Sequence, residues 1–210
     1  MPLKALTITA ALGAACGIAQ AGEFAGPFVQ SSIGFANAQS KLSFPDWLDL
    51  RVADSSLVGE AAIGYSFAFA DFNLAVSGQC VIGDQKAGGF TDHGFRTAVQ
   101  VKLRNTWGVS IEPGLQLNDA TLVYVTLGYN WTKASFMEND TLGIFSLEQR
   151  LTGTSIGVGI KHRFSPRIYA VSALRNTIFQ SGTLDFGGSY PRASIKPSAL
   201  TGTVGVGFRF

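Results

Sequence analysis

Leu200-Thr-Gly-Thr-Val-Gly-Val-Gly-Phe-Arg-Phe210, at the end of the chain, has a period of two. Leu200, Val204, Val206, Phe208 and Phe210 share one face with Gly202, and Thr201, Thr203, Gly205, Gly207 and Arg209 share the other. Such alternation marks a β-strand whose two faces meet different surroundings. The pattern recurs upstream. Leu57, Ile63, Tyr65, Phe67 and Phe69 oppose Glu60, Ala62, Gly64 and Ser66. Phe72, Leu74, Val76, Cys80 and Ile82 oppose Asn73, Ser77 and Gln79, and Val123, Val125, Leu127, Tyr129 and Trp131 oppose Thr126, Gly128, Asn130 and Thr132. Helical periodicity is nearly absent. The reading predicts eight strands, at 27–38, 55–69, 72–83, 99–117, 120–135, 151–164, 168–180 and 199–210.

The connections between these strands alternate in length. Short turns are expected at Ala70-Asp71, Asn118-Asp119 and Ser165-Pro166, and long loops at 39–54, 84–98, 136–150 and 181–198. Short turns on one side and long loops on the other are the pattern of a transmembrane barrel. Phe95–Arg104 alternates well enough to be a strand of its own, but an even strand count makes it an extension of the fourth strand. Pro113 within that strand removes a ladder donor, and a bulge is expected there.

Composition sharpens the choice between water and lipid outside the sheet. Of 210 residues 46% are apolar and only 14% charged, with 25 glycines, and the mean hydropathy is +0.23. Beyond the N-terminus no run of 18 apolar residues offers a transmembrane helix. The polar faces carry Gly, Ser, Thr and Ala rather than Lys and Glu, which suits a cramped barrel interior. The apolar faces carry no charge near their middles, which suits lipid, where only a closed sheet satisfies the backbone. A soluble lipocalin-like barrel is the alternative. Phe67, Phe69, Phe72, Phe164, Phe208 and Phe210 would form an aromatic girdle at the short-turn end, and Phe35, Trp131 and Phe179 would lie toward the other end.

Residues 1–21 read as a signal peptide. Lys4 precedes an apolar stretch from Ala5 to Ala19, and Ala19-Gln20-Ala21 fits a small-x-small cleavage site. Removing these 21 residues leaves the barrel domain at 22–210, with Cys80 as its one thiol. Acylation of Cys16 is a second possibility, disfavoured by Gly13 where a Leu-like residue is expected. A lone cysteine suits an exported protein without a structural disulfide.

Six charges fall on the small-residue face: Glu60, Glu112, Lys161, Arg163, Arg175 and Arg209. An eight-stranded interior is just wide enough for side chains, so the two acids should pair with basic groups inside. The network reads either as a plug that holds the barrel together or as a narrow polar conduit.

These features resemble the small outer-membrane β-barrel proteins of Gram-negative bacteria, the OmpA/OmpX-like and opacity-type "porin family" barrels. The resemblance covers the mature chain and is most specific at Thr203–Phe210, with support from Gly26-Pro-Phe-Val29, Ser110-Ile-Glu-Pro-Gly114, Thr121-Leu-Val-Tyr124 and Leu127-Gly-Tyr129. Ala173 stands about where relatives often carry a carboxylate. The resemblance implies export through the periplasm to the cell outer membrane and contact with its lipid. It also implies handling by periplasmic chaperones and recognition of Val206, Phe208 and Phe210 by the barrel-assembly machinery. It is functionally mixed, so it does not choose a role.

Signs of other chemistry are weak. A net charge of +2 argues against nucleic-acid binding. His93 sits in a glycine-rich stretch with Asp84 and Asp92 near in sequence, and reads as a solvated histidine rather than a metal ligand. His162 falls on the outward face, and neither histidine has the His-x-Ser spacing of lipid A deacylase barrels. Gly157-Val-Gly159 and Gly205-Val-Gly207 lack the third glycine and the helix of a nucleotide loop. No catalytic, cofactor or metal residues are expected. The expected role is structural and interactive: a monomeric barrel supporting envelope integrity, with four surface loops open to a host or envelope ligand. A narrow porin for small solutes is the alternative.

Overall fold

The computed structural model describes residues 23–44, 48–92, 97–140, 143–184 and 193–210. Within them lie ten strands and no helix: β1 (Gly26–Phe44), β2 (Leu48–Phe69), β3 (Phe72–Ile82), β4 (Gln85–Asp92), β5 (Thr97–Asn118), β6 (Thr121–Asp140), β7 (Gly143–Arg163), β8 (Ile168–Phe179), β9 (Gly182–Leu184) and β10 (Ala193–Arg209). Eight form a ring in the order β1-β2-β3-β5-β6-β7-β8-β10, every neighbour antiparallel. Pairing from Phe28↔Arg209 to Ser43↔Ser194 closes the ring. Closure leaves no free edge in the ring and pairs the backbone of the terminal strands, which is what a sheet in hydrocarbon requires. β4 pairs with β5 and β9 with β10, both at the end away from the short turns.

The short turns are set by local chemistry. Ala70 adopts a left-handed φ of 53°, and the Asn118 side chain accepts a hydrogen bond from Ala120 N at 3.0 Å. The Ser165 hydroxyl accepts one from Ile168 N at 3.1 Å.

Three expectations change. The long connections are mostly ladder: β1 and β2 pair as far as Phe44↔Leu48, and β6 and β7 as far as Asp140↔Gly143. Paired strands thus rise well beyond the apolar belt as a collar. Pro113 makes no bulge. Pairing to β6 passes from Ile111↔Leu127 to Gly114↔Tyr124 without a change of register, and the shifts fall instead between Arg104 and Trp107, where Asn105 has a φ of 50°, and between Gln116 and Asn118 at the short turn. Phe179 is buried inside the collar rather than placed on an outer girdle. The expected continuity of 95–104 with the fourth strand holds from Thr97 onward, since β5 is one strand.

The two faces sort as their chemistry demands. Ile33, Phe35, Leu57, Ile63, Trp107, Ile111, Val125, Leu127, Ile156, Val158, Val204 and Val206 are exposed on the outward face. Ser32, Glu60, Ser66, Ser77, Ser110, Thr126, Asn130, Ser155, Lys161 and Thr203 are buried within. Above the belt the pattern inverts. Ala38, Val101, Leu103, Ala134, Phe136, Leu151, Phe179, Ile195 and Ala199 point inward and pack on Ala87 of β4. The collar is therefore built as a soluble barrel, apolar inside, on top of an inside-out one.

Candidate functional site

The lumen is filled in layers, beginning at the short-turn end. Three aromatic rings there lie over cross-strand glycines: Phe28 opposite Gly64, Tyr124 opposite Gly159 and Tyr169 opposite Gly207. A Cβ at Gly207 would overlap the Tyr169 ring, and one at Gly159 the Tyr124 ring, so only glycine lets these rings lie flat on the next strand. The three rings converge on Lys161. Its Nζ stands 4.7 Å from the Tyr124 centroid, 4.9 Å from that of Phe28 and 5.8 Å from that of Tyr169. It also donates to Glu112 Oε2 at 2.8 Å. The side chains of Lys161 and Glu112 are 6% and 12% exposed, so this pair lies largely out of solvent.

A second ion pair bridges the lumen from β2 to β8, where Arg175 donates to Glu60 Oε1 at 2.8 Å. Hydrogen-bonded polar groups occupy the remaining wall. The Ser77 and Ser110 hydroxyls meet at 2.9 Å, Asn130 donates to Ser155 Oγ at 2.9 Å, and the Thr106 and Thr132 hydroxyls meet at 2.7 Å. The apolar cluster of the collar lies beyond them.

Arg163 and Arg209 stand apart from these two pairs. Arg163 is ion-paired with Glu23 and donates to Asp119 O at 2.9 Å. Arg209 donates to Glu23 O at 2.9 Å, Ala25 O at 3.2 Å and Pro166 O at 2.7 Å. Together they hold the segment Glu23–Ala25 across the mouth. Phe24 from that segment is buried against Leu122, Tyr124, Tyr169 and Val171. The cavity left at this mouth is about 20 Å³, little more than a single water molecule needs. A larger concavity of about 1200 Å³ is an open groove between rows of outward apolar side chains, including Ile33, Leu57, Val158 and Leu174, not a space in the lumen.

Glu23 and Phe24 escape a sequence reading because they precede the first alternating residue. Phe28, Tyr124 and Tyr169 could have been found, since each sits at an inward position of its strand. Val206 and Phe210 are exposed on the outward face with Phe208 partly covered beside them, and the Phe208 and Phe210 rings meet edge-on at 5.2 Å. Cys80 is exposed on the outward face. His162 is also outward, hydrogen-bonded to the Thr121 hydroxyl at 3.1 Å and edge-on to Phe164. Among the described residues no three His, Cys, Asp or Glu side chains gather as a metal site. Ala19, Ala21 and His93 lie outside the described residues.

The outer membrane protein beta-barrel domain model matches residues 7–210. Several solved structures share the fold. The outer membrane protease OmpT of Escherichia coli is 9% identical with a TM-score of 0.52, over 88% of this chain and 97% of that one. The outer membrane protein OprG from Pseudomonas aeruginosa is 16% identical with a TM-score of 0.50, over 90% and 98%. A major outer membrane protein from Thermus thermophilus is 11% identical with a TM-score of 0.51, over 85% and 99%. No curated protein matches.

Proposed function

The chain belongs to the outer membrane protein β-barrel family, and from that premise we propose that it is a sealed barrel of the outer membrane that serves the envelope structurally and displays a rigid collar for surface interaction. It resides in the outer membrane, with the short turns toward the periplasm and the collar outward. The observation that carries the reading is the layered lumen. The Phe24 plug, the caged Lys161–Glu112 pair, the Glu60–Arg175 bridge and the apolar collar core lie in series along the axis. A solute would have to break two ion pairs of low exposure and cross two apolar layers. Glu60, Glu112, Lys161 and Arg175 thus act as interior braces, and Arg163 and Arg209 as the latch of the periplasmic mouth. The collar presents its hairpins for loop-mediated binding.

The role involves no catalysis. In support, the one histidine among the described residues faces outward onto a threonine, away from the buried carboxylates of the lumen. A narrow porin is the competing reading, and one experiment separates the two. Planar-bilayer conductance is measured for the natural protein and for the double variant Glu60→Ala/Glu112→Ala. Braces predict a closed natural barrel and a variant that unfolds more readily. Steady conductance in the natural protein that rises in the double variant would establish a pore.

A further inference from the structure

We propose that the outer wall of the collar carries a binding site for the phosphorylated sugar headgroup of an outer-leaflet glycolipid, formed by Arg104, Lys133 and Arg150 above the Trp107–Trp131 stack. The observation is a row of like charges. Arg104 of β5 lies directly opposite Lys133 of β6, and Lys133 directly opposite Arg150 of β7. Leu103, Thr132, Ala134 and Leu151 beside them are buried, so all three cations share the outward face. Like charges directly opposed across strands are unfavourable unless an anion joins them.

The protein supplies little of that anion. Asp84 reaches Arg104 Nε at 3.3 Å, with both side chains about half exposed. Glu148 lies two residues before Arg150 on β7, opposite Ser135. Among the described residues neither Lys133 nor Arg150 has a carboxylate partner.

Two further features point to a phosphosugar. The irregularity at Asn105, between the paired positions Arg104 and Trp107, leaves Arg104 and Asn105 both exposed. Bulges of this kind often re-aim a side chain at a site. Directly below, the Trp107 and Trp131 rings stack at 4.3 Å and 15°, with Trp107 52% exposed and Tyr129 edge-on to Trp131. Tryptophan settles at headgroup depth, which sets the cations in the phosphate layer. The indole faces offer a platform for a sugar ring, and the guanidinium groups match phosphate geometry. The row stands on the lipid-facing belt, which favours a lipid headgroup over a free anion. The inference rests on the proposed outward orientation of the collar and is independent of whether the lumen conducts.

The test titrates the folded full chain, in nanodiscs, with a bisphosphorylated acyl-disaccharide and with the same lipid after dephosphorylation. The natural protein should bind the phosphorylated form at least about tenfold more tightly. Lys133→Gln/Arg150→Gln should abolish that preference, whereas Arg167→Gln in a short turn should keep it. Heat-modifiable gel mobility confirms that each variant is folded, and Lys133→Gln alone serves if the double variant is not. Equal affinity for the two lipids, or an undiminished preference in the glutamine variant, would overturn the proposal. Displacement of the lipid by inorganic phosphate at comparable concentration would assign the site to a free anion and overturn the lipid source. Failure here with a non-conducting barrel leaves the proposed function standing, while conductance with intact lipid preference does the reverse.

Discussion

Replacing Glu112 with Ala should strand the Lys161 ammonium in the lumen. That cation is 6% exposed, and its one carboxylate contact among the described residues is Glu112 at 2.8 Å. Removing one partner of a buried pair costs about 3–5 kcal/mol because the remaining charge is uncompensated. The Phe28 and Tyr124 rings, within 4.9 Å of Nζ, retain part of the stabilisation, on the order of 1 kcal/mol each for a cation held over an aromatic face. The expected loss is therefore about 1–3 kcal/mol. Converting Lys161 to Met in the same background removes the stranded charge and should recover most of that loss, since an apolar replacement of a buried pair is often neutral. By contrast Arg163→Ala, at the partly exposed periplasmic rim, should cost under ~1 kcal/mol. The assay is reversible urea unfolding from lipid vesicles, followed by tryptophan fluorescence and by heat-modifiable mobility. A loss below ~1 kcal/mol for Glu112→Ala, or a double variant less stable than the single, would refute the view that the pair is a dry interior brace.

Other substitutions probe the rest of the structure. Ala70→Gly relieves a left-handed residue in a short turn and should stabilise by up to ~1 kcal/mol in the same unfolding assay. Gly207→Ala forces Tyr169 off its neighbouring strand and should destabilise by about 1–3 kcal/mol, as overpacking does. Phe210→Ser alters the proposed assembly signal and should lower the fraction of chain that reaches the heat-modifiable form in outer-membrane extracts, with a smaller effect on the stability of protein refolded in vitro.

Much of the barrel wall is legible in the sequence because lipid and a cramped interior impose opposite demands on alternate residues. Val123–Trp131 shows it plainly, with every second side chain apolar and outward over about nine residues, the span a tilted strand needs. The collar is less legible because the apolar phase flips where the sheet leaves lipid. In β6 the outward run ends at Trp131, and Ala134 and Phe136 then point inward. A flip of this kind reads as the end of a strand, which is why the hairpins look like loops and Phe179 looks like a girdle residue. The inward position of Glu60, Glu112, Lys161 and Arg175 follows from parity, but their pairing does not. Glu60 meets Arg175 across a lumen whose stagger depends on how the ring closes, a property of no single strand. Phe24 is hidden for a different reason, since a plug residue outside any strand has no periodicity to betray it.

The sealed lumen is tested most directly by solute uptake into proteoliposomes holding the folded natural protein. With a sealed lumen, vesicles in isotonic arabinose should swell no faster than protein-free vesicles. Swelling that increases in proportion to the protein incorporated would contradict it and make the lumen a pore.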